Sequence, residues 1–177
     1  MKFLYCLVVL VTILFSLCGY AGTKYYVESD PFAFAQKGCS LHGELESSGF
    51  RIQAGVFGAQ VPKFLKDNKN FEVKQHGIGI KVDYYGRNPM GLFYGLEYEY
   101  TKKTFTPSST NEKVERPANL IGIKTDYKYM INDRFYVTPW ISSKRNISDV
   151  SPVELSGQTC HDSAWQVFAT IHLGLQY

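Results

Sequence analysis

The last thirteen residues, Trp165 to Tyr177 (WQVFATIHLGLQY), constrain the fold of this chain more than any other stretch. Trp165, Val167, Ala169, Ile171, Leu173, Leu175 and Tyr177 are apolar, and the residues between them are small or polar apart from Phe168. This is a strict period of two, so one face of a strand is apolar along its whole length. A strand in a soluble domain runs to about 5–6 residues. One this long, with a continuous apolar face, suits a strand that crosses a bilayer. The alternative is a long edge strand of a soluble barrel.

The opposite end supports the membrane reading. Met1 and Lys2 precede an apolar run, Phe3 to Leu17, and then Cys18-Gly19-Tyr20-Ala21. A basic start, an apolar core and small residues at Gly19 and Ala21 predict a secretory signal peptide over residues 1–21. The run falls short of the roughly 20 apolar residues of a spanning helix. Leu17 stands where lipoprotein processing at Cys18 would want Gly or Ala. No later run approaches this length, so an exported chain of one domain remains. Lys and Arg barely outnumber Asp and Glu, 19 against 16, which points to no nucleic-acid partner. The 13 tyrosines and 15 glycines suit a wall with aromatic interfaces and strands that must bend.

Residues 22–37, interrupted by Pro31, have no clear period and read as a periplasmic lead-in. Residues 38–177 read as a barrel domain of about eight strands. Seven alternate clearly enough to place: 38–46, 50–61, 71–85, 91–104, 119–130, 135–143 and the terminal stretch. Pro139 weakens the sixth of these, because proline removes a ladder hydrogen bond. One further strand is expected within 150–160. Without a helix to cover a sheet, such strands predict an all-β fold, a closed antiparallel up-and-down transmembrane β-barrel. On this count the tight turn Ser47-Ser48-Gly49 falls on the external side and the longer connections 62–70 and 105–118 fall on the periplasmic side. Outer-membrane barrels usually have the reverse. A strand hidden within Lys24–Phe34 would repair the mismatch. The same count puts Cys39 and Cys160 at opposite ends, as free thiols.

Alternate hydrophobic residues ending on an aromatic, Ile171, Leu173, Leu175 and Tyr177, resemble the C-terminal assembly signal of bacterial outer-membrane proteins. The resemblance implies recognition by the barrel assembly machinery. With the signal peptide and the alternation, the chain after residue 21 resembles small eight-stranded barrels of the OmpA, OmpX and OmpW kind. That likeness is architectural and implies a Gram-negative outer membrane, with its lipid and lipopolysaccharide as surroundings. The stretch Phe135-Tyr136-Val137-Thr138-Pro139-Trp140 is similar to uncharacterised outer-membrane proteins, which implies location and no activity.

Two sets of inward-phase residues carry candidate chemistry. Lys81, Asp83, Glu97, Glu99, Lys124, Asp126 and Lys128 share the lumen phase of three successive strands. The interior of an eight-stranded barrel is just wide enough for side chains, so opposite charges there are expected to interlock and fill it. The second set is Ser40, His42 and Glu44, with His172 on the terminal strand. Serine, histidine and carboxylate are the ingredients of an acyl-transfer site. Residues alternating along a strand are about 7 Å apart, however, and no G-x-S-x-G elbow is present. A polar lumen network is the plainer reading of the second set. His76 is expected at an interface, and Cys160-His161-Asp162 could hold a metal only with ligands from elsewhere in the chain. No cofactor or metal is expected. The function expected is a structural, surface-interaction or small-ligand passage role. A lipid-modifying hydrolase or acyltransferase, or a soluble periplasmic ligand-binding barrel, stands as the alternative.

Overall fold

The computed structural model describes residues 22–62, 68–86, 90–110 and 112–177. The expected signal peptide lies outside the described residues. The chain forms β1 (Lys24–Ser29), a short helix α1 (Pro31–Ala35), β2 (Cys39–Ser47), β3 (Phe50–Gln60) and β4 (Phe71–Tyr84). These are followed by β5 (Gly91–Pro107), β6 (Val114–Met130), β7 (Phe135–Asn146), the short β8 (Val153–Leu155) and β9 (Gln158–Cys160), and β10 (Trp165–Gln176). Eight of them close an antiparallel barrel in the order β1, β10, β7, β6, β5, β4, β3, β2.

The strand count of eight is right, but two assignments are corrected. Residues 22–37 are not a lead-in, because Lys24–Ser29 is the strand that closes the wall. Tyr26 lies opposite Gln176 on one side and Glu44 on the other. With only six residues, β1 is too short to declare a period by itself. Its inward Tyr26 and Glu28 are polar-tipped and its outward Tyr25 and Val27 are not distinctive. Conversely, the strand expected within 150–160 is no part of the wall. β8 and β9 pair only with each other, Val153 opposite Cys160. Val153 and Cys160 instead cover Phe71, Val73 and Phe105, which lie where β4 and β5 rise beyond the rest of the barrel.

Moving one strand from residues 150–160 to residues 24–29 inverts the assignment of ends. The connection carrying α1, and those at 61–70, 108–113 and 147–164, now share one end. The short connections that follow β2, β4 and β6 share the other with the start of β1 and the end of β10. Cys39 and Cys160 therefore sit at the same, loop-bearing end, which overturns the expectation of opposite ends. Cys39 is a free thiol on the outer wall, and Cys160 is buried in the β8–β9 cluster.

Alternation then sorts the side chains into two surfaces. Outward go Ile52, Ile78, Ile80, Val82, Leu92, Leu96, Ile121, Ile123, Val167 and Leu173, all exposed. Inward go Arg51, Lys81, Asp83, Glu97, Lys124, Asp126, Lys128 and Lys144, all buried. The wall leaves room for these long groups by placing glycine opposite them. His42 lies over Gly55, Asp83 over Gly95, Lys144 over Gly122 and Tyr136 over Gly174, each a cross-strand pair. A Cβ on Gly95 would come within 1.9 Å of Asp83 Oδ1. At Pro139 the β6–β7 pairing lapses between Asp126↔Trp140 and Tyr129↔Val137, as the lost N–H requires.

The helix α1 bends in over the loop-bearing mouth. Asp30 caps it by accepting the Phe32 N–H at 2.8 Å, with Pro31 in the first turn where no N–H is needed. Ala33 is buried, and Gly38 then passes so close to the Gly58 carbonyl that a side chain would not fit.

Candidate functional site: the charged lumen

The lumen is organised by Arg51, on β3, which is 1% exposed. Its Nε donates to Asp83 Oδ2 at 2.8 Å, and its Nη2 bridges Asp83 and Asp126 at 2.6 and 2.5 Å. Glu44 faces its Nη1 at 3.8 Å, and the guanidinium lies 4.1 Å from the Phe93 ring centre. Lys124 contacts the same two aspartates at 3.0 and 2.6 Å. Three carboxylates and two cations from β2, β3, β4 and β6 thus share one knot. Buried charges such as these are costly unless paired, and here they are paired with one another.

Two further groups extend across the lumen. Lys128 on β6 reaches Glu46 on β2, a strand far from it in the wall, and lies 3.6 Å from the Tyr26 ring centre. The Tyr26 hydroxyl donates to Glu46 at 2.7 Å. Lys144 on β7 donates to Glu99 at 2.6 Å and stands 3.8 Å from Glu97. Of the seven charges singled out in the sequence, the structure joins Asp83, Lys124 and Asp126 directly. It assigns Glu97 and Glu99 to Lys144, and Lys128 to Glu46. Lys81 forms no ion pair within 4.0 Å among the described residues, and its Nζ lies 4.2 Å from the Trp140 ring centre.

Sequence reasoning missed Arg51 and Lys144 as members of this network. Arg51 has the lumen phase and is readable as inward. Lys144 lies one residue beyond the expected end of its strand, where alternation no longer defines a phase.

The second candidate set is only partly assembled. Ser40 Oγ and His42 Nε2 are 2.9 Å apart. Glu44, the expected third member, is engaged by Gln53 and faces Arg51 and Lys128 instead. A histidine–carboxylate pair does exist, but between His172 Nδ1 and Glu28 Oε2 at 2.8 Å. The two imidazoles stack with ring centres 5.1 Å apart. Serine and carboxylate are therefore attached to different histidines, and all four side chains are buried in the lumen. His76 lies exposed on the outer wall, and Asp162 is taken by Lys103 at 2.7 Å.

Ile171, Leu173 and Tyr177 project from the outer wall, with Leu175 between them on the same phase. Tyr84, Tyr94, Tyr127, Tyr129 and Tyr177 ring the outer wall towards the short-turn end, and Tyr98, Tyr100 and Trp165 stand farther along.

No protein-family model and no curated protein matches this chain. Solved structures do. A major outer-membrane protein from Thermus thermophilus superposes with a TM-score of 0.61 at 11% identity, covering 89% of this chain and 100% of that one. Neisserial surface protein A gives a TM-score of 0.49 at 8% identity, with 88% and 96% covered. Ail, the attachment invasion locus protein of Yersinia pestis, gives 0.43 at 12%, with 88% and 95% covered. The Thermus likeness establishes the fold. The chain has the architecture of small bacterial outer-membrane barrels.

Proposed function

We propose that this chain is an integral outer-membrane barrel whose lumen is plugged by its own charges and whose work is done at the loop-bearing end. The observation that carries this is the inverted distribution of side chains. Large apolar residues stand exposed around the whole outer wall, while the charges are buried inside. In water such a wall would be an apolar patch far beyond what a soluble monomer tolerates, whereas hydrocarbon covers it at no cost. A ligand-binding barrel in solution has the opposite arrangement, polar outside and apolar within.

Occlusion rests on the Arg51 knot and the Lys128–Glu46 bridge, which tie strands from several sides of the lumen. Conduction would require separating buried charges from their partners. A structural or surface-interaction role follows in preference to passage. The length contrast between the two ends favours an external loop end, with long connections there and tight turns in the periplasm. Residues 1–21 would direct export and be removed. Ile171, Leu173, Leu175 and Tyr177 would engage the assembly machinery, and outer-membrane lipid and lipopolysaccharide would surround the wall. The Ser40–His42 contact does not favour a lipid-modifying reading, because its carboxylate is missing and both groups face away from lipid.

The test is separation of inner and outer membranes, followed by gel mobility of the outer-membrane fraction with and without boiling. Recovery there with a heat-dependent shift is the expected result. Recovery in the soluble periplasm would overturn the proposal.

A further inference from the structure

Beneath α1 the lumen holds a cavity of about 70 Å³, lined among others by Ala33, Ser40, His42, Lys81, Trp140 and His172. We infer that this cavity is a binding site for a small anion of the halide or carboxylate class, held by the Lys81 ammonium.

Lys81 makes no ion pair with either of its cross-strand neighbours. Its two cross-strand neighbours are Gln53 on β3 and Glu97 on β5. The Gln53 amide is committed to Glu28, at 2.9 Å, and to Glu44. The Glu97 carboxylate is turned across Gly122 towards Lys144. Gln53 carries no charge, and Glu97, whose carboxylate oxygens accept no hydrogen bond among the described residues, is turned to within 3.8 Å of Lys144 and lies beyond ion-pair distance of Lys81. Lys81 is 3% exposed and makes no hydrogen bond or ion pair among the described residues. A buried ammonium in this condition is costly, and such groups are normally paired. The Trp140 ring face compensates in part, through the cation–π contact.

Of the other charges on the lining, Lys144 is bonded to Glu99 at 2.6 Å, and Asp30 accepts the Phe32 N–H at 2.8 Å without an ion pair among the described residues. Among the described residues of the lining, Lys81 is the lysine without an ion pair. The Ser40 hydroxyl, hydrogen-bonded to His42, opens on the same space and supplies a second polar contact. The volume admits an anion of a few heavy atoms. The site lies on the loop side of the Arg51 knot, so an anion would enter a blind vestibule, with no passage through the barrel.

Trp140 reports directly on such an ion. The chain has two tryptophans, and Trp165 stands exposed on the outer wall. The full chain carrying Trp165→Phe, folded in detergent, is titrated with iodide and separately with caesium at constant ionic strength. Iodide is expected to quench Trp140 emission saturably, acetate to reverse the quenching, and caesium to leave the emission unchanged. Lys81→Gln should weaken iodide binding about tenfold or more, and Lys81→Arg should retain it. Quenching that never saturates, that caesium matches, or that survives Lys81→Gln would overturn the inference, as would no quenching at all. If Lys81→Gln loses its unboiled gel shift, and so does not fold, the acetate competition in the parent decides the matter.

Discussion

Arg51 shows what one buried side chain does among buried carboxylates. Five donors in a rigid fork let it hold Asp83 and Asp126 together while facing Glu44, an arrangement lysine cannot reproduce. Arg51→Met keeps most of the volume and removes the charge, leaving three carboxylates with too few cations. We expect a loss of about 3–5 kcal/mol, measured as the shift in urea unfolding of the detergent-folded protein. The proposed occlusion predicts that the same variant raises single-channel conductance in planar bilayers, because the Arg51 knot is then loosened. Glycine matters as much as charge. Gly95→Ala forces a Cβ against Asp83 and the Val82 carbonyl, and should destabilise by about 1–3 kcal/mol in the same assay. Gly58→Ala, whose nearest contact is 3.4 Å, should fold as the parent does. The inward phase of both Arg51 and Gly95 was legible in the sequence. Which charge meets which was not, because pairing across a lumen depends on how far each strand is staggered against the next.

Among the elements, the long strands declared themselves and the short ones did not. β4, β5, β6 and β10 carry alternation over twelve or more residues, enough for a period to be counted. β1 has six, and its two inward residues, Tyr26 and Glu28, gain meaning only from Glu46 and His172 on neighbouring strands. The stretch at 150–160 has apolar residues at strand-like spacing, but they serve a cluster outside the wall. Excising residues 150–162 and joining the ends with a short polar linker should leave the heat-dependent gel shift intact. Loss of the shift would mean that the β8–β9 hairpin is needed for closure, contrary to its separate pairing. β1 behaves in the opposite way, since without it the edges of β2 and β10 would be left unpaired.

For the molecule as a whole, the deciding property is that its polarity is inside out. Leu96→Arg, in the middle of the outward face of β5, should cost about 2–4 kcal/mol in folding into bilayers, and the same change at Tyr84 near the turn end about 0–1. Equal penalties at the two depths, read from unfolding in lipid vesicles, would argue against a bilayer around this wall. The sequence by itself determined the class of fold. A period of two fixes which face of each long strand meets lipid, and an apolar face that length has no cover in water. It also determined that charges would line the interior, because the residues between the apolar ones are charged. Only the tertiary structure decided that Lys24–Ser29 closes the barrel, that Arg51 and Lys144 belong to the charge network, and that Lys81 is left without a partner. The physical reason is that alternation is a local property of one strand. Closure, stagger and the choice of ionic partner arise from strands far apart in the chain.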